Sequence, residues 1–187
     1  KYIFYSKLDK FHRPKKIFKH KIGTNLSEDK LIFEEKTEAF TVGIDLTSDE
    51  KYFVITSSDH NISEQYYFSV DEENPNPKLI KKRKKGIIYS VNSWNSFFYN
   101  HTNENAEDFK IEKCKDLLNQ KWETYVSAKN EVLIGGLTFL KNWVLRSEVS
   151  NALGKLFVKN VNTNIEEEIK FTDEKVIVPS ISLIQKD

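Results

Sequence analysis

FTVGIDLTSDEKYFVITSSDHNISEQYYFSVDEENPNPKLIKKRK, residues 40–84, holds four short strand-like runs, at Phe40–Leu46, Lys51–Ser57, Gln65–Val70 and Lys78–Lys84. Between them lie SDE, DHNIS and EENPNP, clusters of the residues that turn a chain. Runs rich in Tyr, Phe, Val and Ile, punctuated in this way, predict strands joined by tight turns. The first run carries the small residue Gly43, the middle two are continuously apolar at Tyr52–Ile55 and Tyr66–Phe68, and the fourth is charged. A strand buried on both faces loses the alternation of a half-exposed one. Charge on an outermost strand discourages pairing with other chains. The stretch therefore reads as one four-stranded sheet with an inner strand, two middle strands and an outer one.

The same order recurs downstream. IIYSVNS from Ile87, SFFYNHT from Ser96, FKIEKCK from Phe109 and WETYVSA from Trp122 form a second set. VLIGGLTF from Val132, NWVLRSE from Asn142, KLFVKNV from Lys155 and IEEEIKF from Ile165 form a third. The sets start at Phe40, Ile87 and Val132, which are 47 and 45 residues apart. Their inner strands carry Gly43, Ser90, Gly135 and Gly136, as expected where strands crowd a central channel. Ahead of Phe40 there are three strands, YIFYSKL, KIFKHKI and KLIFEEK. The best helical candidate is AEDFKIEKCKDLLNQ from Ala106, although strand suits Phe109–Lys113 better.

Four strands repeating at this period are the signature of propeller blades. The expected fold class is all-β: a partial β-propeller, an open arc of about four four-stranded antiparallel blades. The expected divisions are a blade part at 1–37, blades at 40–84, 87–128 and 132–171, and the leading strand of a next blade at 177–187. A β-sandwich has similar turn spacing but does not require this order of strand types. An open arc leaves apolar faces uncovered at its end blades, so self-association through them is expected.

With 39% apolar and 13% aromatic residues, the 187-residue chain can bury a substantial core. Its 29 Lys and Arg balance 28 Asp and Glu, so no global field draws in nucleic acid or an acidic membrane. No apolar run approaches a membrane span, and KYIFYSKLDK has no signal-peptide pattern. The lone Cys114 has no partner for an intramolecular disulfide, which fits a reducing cytoplasm, and a strand-borne buried Cys is expected to be inert. The chain has no Met and opens directly in a strand-like run, as expected of a segment of something longer.

Motifs that carry chemistry are absent. There is no G-x-S-x-G, and the six glycines (23, 43, 86, 135, 136 and 154) exclude G-x-G-x-x-G and the P-loop. His12, His20, His60 and His101 are too scattered for metal-ligand spacing and read as structural or surface residues. Glu34 with Glu35, and Glu166–Glu168, fall on predicted edge strands, where neighbouring side chains point to opposite faces and do not converge. The sharpest charge feature is KKRKK at Lys81–Lys85. Alternation sends its charges to both sides, favouring a solvated outer strand over a nucleic-acid or membrane patch. The N-x-[ST] triplets at Asn25, Asn61 and Asn100 read as chance. No catalytic, cofactor-binding or metal-binding residue is assigned, and neither nucleic acid nor membrane is an expected partner.

Specific residues also carry a resemblance. FYSKLDKFHRPKKIFKHKIGTNLSEDKLIFEEKTEAFTVGI, residues 4–44, is similar to the propeller of the oligopeptidase B branch of the prolyl oligopeptidase family of serine peptidases. The family's Tyr-rich strand, Arg-Pro turn, basic-His-x-Leu-Gly-Thr pattern and Glu-Glu strand look like Tyr5, Arg13-Pro14, Lys19 to Thr24 and Glu34-Glu35. The likeness continues through Ser63-Glu64 and FFYNHTNENAEDFKI from Phe97, with Asp108 and Lys19 departing from the family's usual Asn and Arg. The resemblance implies a seven-bladed propeller joined to an α/β-hydrolase domain that performs acyl transfer through Ser, Asp and His, cleaving short peptides after Lys or Arg. It implies for this chain a non-catalytic role as size filter and gate over that domain, its expected partner. No triad residue is carried over. The alternative is a stand-alone β-repeat module that binds a protein.

Overall fold

In the computed structural model the described residues are 1–170, and they form fifteen strands in four antiparallel sheets with one 3-10 turn at Leu26–Glu28. The first sheet holds β1 (Tyr2–Leu8), β2 (Pro14–Lys21) and β3 (Lys30–Glu34). The second holds β4 (Thr41–Leu46), β5 (Tyr52–Ser58), β6 (Ser63–Ser69) and β7 (Lys78–Lys81). The third holds β8 (Tyr89–Trp94), β9 (Phe97–Thr102), β10 (Lys110–Cys114) and β11 (Glu123–Val126). The fourth holds β12 (Val132–Leu140), β13 (Trp143–Ser150), β14 (Leu153–Asn160) and β15 (Glu166–Glu168). Each sheet is a meander with strands in chain order, and the whole is an all-β open arc of a propeller. The leading strand expected at 177–187 lies outside the described residues.

The three-stranded first sheet has an assignable register within the blade pattern. The inner strand β8 packs against β5 and β6, the second and third strands of the sheet before it, whereas β4 packs against β1 and β2. By that correspondence β1, β2 and β3 take the second, third and fourth places of their blade. None of the described residues fills its inner place.

Apolar layers lie between the sheets. Ile17, Val42, Ile55 and Phe68 form the first, joined by Phe4, Phe33, Phe53 and Tyr66. Phe4 meets the rings of Phe53 and Phe68 at 4.5 and 5.5 Å, distances at which tilted aromatic pairs attract. Ile80, Tyr89, Val91, Phe98, Cys114 and Leu117 fill the second layer, and Tyr99, Ile111 and Ile134 centre the third. Ile55 and Phe68 come from the continuous apolar runs of the middle strands, while Val42, Tyr89, Val91 and Ile134 come from inner strands.

Polar stitches complete each seam. The β8 backbone groups that face away from β9 are met by side chains of β6. Ser63 donates to the Tyr89 carbonyl and accepts from the Tyr89 N–H, both at 2.7 Å, while the Val91 N–H donates to Gln65 Oε1 at 2.7 Å. The Tyr89 hydroxyl returns the favour, accepting from the Gln65 N–H and donating to the Lys81 carbonyl, both at 2.7 Å. At the next seam His101 Nε2 bonds the Ile134 carbonyl at 2.8 Å, and the Ile134 N–H donates to the Asp108 carbonyl at 2.9 Å. Buried backbone groups without such partners would cost about 1–3 kcal/mol each.

Two details of the sequence reading change. The 106–120 region contains β10 and turns, with no helix; Phe109 adopts a left-handed φ of 67°, closes a turn on Ala106 and stacks on His101, so the strand begins after it. The small inner-strand residues do not all answer to crowding. A Cβ added at Gly43 or Gly136 would meet nothing within 4 Å. Gly135 alone is tight, because the irregularity between Ile134 and Leu137 brings it onto β13, where a Cβ would overlap the Ser147 side chain and approach its carbonyl oxygen to 2.9 Å.

Gly135→Ala is therefore expected to destabilise the fold by about 1–3 kcal/mol, the range for overpacking. Gly136→Ala should stay within about 0.5 kcal/mol of the parent, as at an uncrowded position. Urea unfolding of the two variants side by side checks both.

Candidate functional site

The basic run that dominates the sequence lies across two seams. β7 ends at Lys81, and Lys82–Lys85 turn away from the sheet through Gly86, at φ 75°, with Ile87 N–H closing on the Lys84 carbonyl. The expectation of a solvated outer strand is thus corrected: with the strand ended, Arg83 is free to swing inward. Its Nη2 donates to Glu35 Oε2 at 2.7 Å and to Glu64 Oε1 at 2.8 Å, and its backbone N–H donates to Glu64 Oε2 at 2.8 Å. Its guanidinium lies 4.2 Å from the Phe40 ring centre. Lys81 and Lys84 reach the other way, to Glu104 at 3.1 and 2.7 Å. The run therefore joins the first sheet's exit, the second sheet's edge and the third sheet's β9–β10 loop, with Lys82 and Lys85 left exposed.

Glu34 and Glu35 do not converge with each other: Glu34 pairs with Lys16 at 3.0 Å, while Glu35 goes elsewhere. It lies one residue past β3, so strand alternation does not govern it, and its carboxylate converges with that of Glu64 on one guanidinium. Both side chains are nearly closed to solvent, at 5% and 8% exposure. Burial pushes the Glu35 carboxyl up, but hydrogen bonds from Ser57, Arg83 and Thr37 outweigh it and hold it at about 2. Burial also raises Glu64, again outweighed by Arg83 and Tyr66, so it too stays below its ordinary value. Beside this cluster the Lys15 ammonium caps the β3–β4 connection, donating to the carbonyls of Thr37 at 2.6 Å, Glu38 at 2.9 Å and Phe40.

The histidines separate by environment. His12 and His60 are exposed. His20 Nδ1 lies 2.6 Å from Asp29 Oδ1, and the Tyr5 hydroxyl donates to Asp29 Oδ2 at 2.7 Å. The hydrogen bond from His20 leads those that hold the Asp29 carboxyl below its usual range. A His held by an Asp is half of a hydrolytic triad, but Tyr5 addresses the Asp and no hydroxyl or thiol among the described residues bonds His20. Geometry makes it a brace for the β2–β3 turn. His101 is half-buried, and because a carbonyl only accepts, its Nε2 carries the proton. Burial holds it below its ordinary value. Burial also pushes the Cys114 thiol up to about 11, leaving it protonated and a poor nucleophile.

Among the described residues no group of three or more His, Cys, Asp or Glu could hold a metal, and no helix is long and apolar enough to cross a membrane. Of the three triplet asparagines, Asn25 caps the 3-10 turn in a capping box, Asn61 N–H donates to Asp59 in its turn, and Asn100 is fully buried. Two clefts of mixed polar and apolar lining lie along the inner strands. A cleft of about 290 Å³ runs between Asp45, Thr56, Gln65, Ser90 and Asn92, and a smaller one of about 110 Å³ between Asn92, His101 and Gly136.

Arg83→Met is expected to cost about 3–5 kcal/mol, as when one partner of a buried ion pair is removed, while Lys82→Gln with Lys85→Gln changes little. Because the folded state holds Glu35 at about 2 against an ordinary 4.5, its stabilisation is present above about pH 4.5 and lost as the pH falls through 2. Denaturation midpoints against pH should show that acid loss shrinking in Arg83→Met. For His101 the sign is the same but the window higher: the unfolded chain gains the proton first, so stability drops as the pH falls through about 6.5. His101→Gln, which keeps a donor for Ile134, should flatten that step.

The fold and its seams have counterparts in known proteins. Residues 1–185 match the family model described as prolyl oligopeptidase, N-terminal beta-propeller domain. The chain is 34% identical over 113 residues to Protease 2 of Moraxella lacunata, covering 60% of this chain and 16% of that protein. It is 25% identical over 147 residues to dipeptidyl aminopeptidase BI of Pseudoxanthomonas mexicana, covering 77% and 20%. Among solved structures, oligopeptidase B from Trypanosoma brucei, in a closed form with covalently bound antipain, superposes with a TM-score of 0.84 at 21% identity, over 92% of this chain and 26% of that one. Oligopeptidase B from Leishmania major gives 0.83 at 18% identity over the same shares. These two likenesses speak for the fold, and the chain spans only 16% to 26% of the lengths of these four proteins. The match along nearly the whole chain settles the family: it belongs to the prolyl oligopeptidase N-terminal β-propeller domains.

Proposed function

We propose that this chain is the non-catalytic propeller portion of a serine oligopeptidase that cleaves short peptides after Lys or Arg. In this reading it acts as a size filter and gate over a separate α/β-hydrolase domain. The observation that carries it is the family match over residues 1–185, joined to a structure whose described residues hold no assembled nucleophile and base. Two relatives, a protease and a dipeptidyl aminopeptidase, support a peptidase as the parent. Stitched seams support the filter: a wall that must exclude folded chains has to resist separation of its blades, and closure over the hydrolase would shield the reaction from bulk water.

The partners in this reading are the hydrolase domain and, as substrates, short basic peptides. Asp45 on the inner strand β4 is an exposed carboxylate that a basic peptide would meet in passing. The outer face of the first sheet, where Ile3 and Leu31 are about half exposed, is where a further blade or a second copy would seat. One lone, buried Cys114 suits a reducing compartment, and a cytoplasmic location belongs to the reading.

Purified chain is expected to leave an Arg-containing chromogenic peptide intact, and the reading frames flanking its gene are expected to encode a G-x-S-x-G hydrolase. Hydrolysis by contamination-free chain would overturn the non-catalytic assignment. A silent chain with no hydrolase sequence beside it would make it a stand-alone binding module instead.

A further inference from the structure

With Lys81, Arg83 and Lys84 paired across the seams, lysines without an ion pair gather elsewhere. Lys113, at the end of β10, places Nζ 4.9 Å from the ring centre of Phe97 and 5.6 Å from that of Tyr125. Lys115 places its own Nζ 5.6 Å from the same Phe97 ring. Lys159, from β14 of the next sheet, lies 5.1 Å from the Tyr125 ring. Three ammonium groups thus share two aromatic rings across one seam, and a fourth lysine, Lys121, lines the same hollow as Lys113 and Lys115. Among the described residues none of the four takes part in an ion pair.

The hollow, of about 290 Å³, has Phe97 in its floor and the β10–β11 turn for a rim. Two carboxylates also line it, but neither quenches the lysines. Asp116 is engaged by its own turn, accepting from the Leu118 N–H at 2.8 Å and the Asn119 amide at 2.5 Å. Glu123 stands opposite Lys113 in strand register without forming an ion pair. Ring faces attract cations and hold the ammonium groups near one another, yet they carry no net charge and leave the mutual repulsion of the lysines in place. An anion bridging them would remove it. Lysine ammonium groups are compact point charges with freely rotating donors, which suit the spread charge of a phosphate-type oxyanion.

We propose that this hollow, rimmed by Lys113, Lys115 and Lys121 over Phe97, binds a multivalent oxyanion of the phosphate class. The hollow lies at the turn between the third and fourth strands of its blade.

The test is an amide NMR titration of the 187-residue chain with pyrophosphate at low ionic strength, where screening is weak. Saturable shifts confined to Phe97 and residues 113–123 are expected. Lys113→Gln with Lys115→Gln should weaken binding about tenfold for each lysine removed, while melting temperature stays at the parent value. Lys82→Gln with Lys85→Gln, which removes two exposed lysines elsewhere, should leave affinity unchanged. No saturable shift, shifts spread evenly over all exposed lysines, or equal weakening by both double variants would overturn the proposal. A lowered melting temperature in the Lys113 and Lys115 variant is met by Lys121→Gln, a change at an exposed rim position that should still weaken binding.

Discussion

Each blade begins with a strand that pairs on one side only, and the backbone groups on its other edge need partners inside a seam largely closed to water. The structure meets that need from the blade before. Ser63 and Gln65 serve β8, and His101 serves β12. These side chains are themselves held in place, Gln65 by a 2.8 Å bond from its amide to Thr56 and His101 by stacking 4.6 Å from Phe109. An inner strand is therefore completed by its predecessor, and a blade is not a self-sufficient unit. Stability in such an array comes from nearest-neighbour seams, each with an apolar layer and a polar stitch.

Electrostatics follows the same seams. Arg83 neutralises Glu35 from one blade and Glu64 from its own, while Lys81 and Lys84 neutralise Glu104 from the next. Buried carboxylates would be expensive alone, and one guanidinium with several hydrogen bonds to each carboxylate makes them tolerable. Because these charges sit at blade junctions, their loss would loosen relations between blades before it disturbed any one sheet. That is the property a wall around a peptide chamber would need.

Three groups with reactive chemistry are held in structural roles. The buried thiol of Cys114 is pushed away from ionisation, the half-buried imidazole of His101 spends its proton on a backbone carbonyl, and the dyad of His20 with Asp29 is completed by a tyrosine that bonds the wrong partner for nucleophilic attack. These groups are committed to holding the arc together. The proposed role as a filter asks for such commitment, since the reacting groups would belong to another domain.

Strand positions and their order as inner, middle and outer were legible in the sequence, because they depend on local periodicity and turn residues such as those of DHNIS and EENPNP. Boundaries moved where a single backbone torsion intervened, as at Phe109, or where a strand stopped short, as at Lys81. Charge was the least legible feature. Five consecutive basic residues looked like the molecule's basic surface, yet their partners Glu35, Glu64 and Glu104 stand 19 to 48 residues away for Arg83 and 20 or more for the lysines, and no local pattern announces them. Lysines without an ion pair among the described residues, such as Lys113, Lys115 and Lys159, are scattered along the chain. The sequence by itself determined the blades, because a blade is built from neighbours in the chain; only the tertiary structure decided which charges are spent and which are free, because that depends on neighbours in space across the seams.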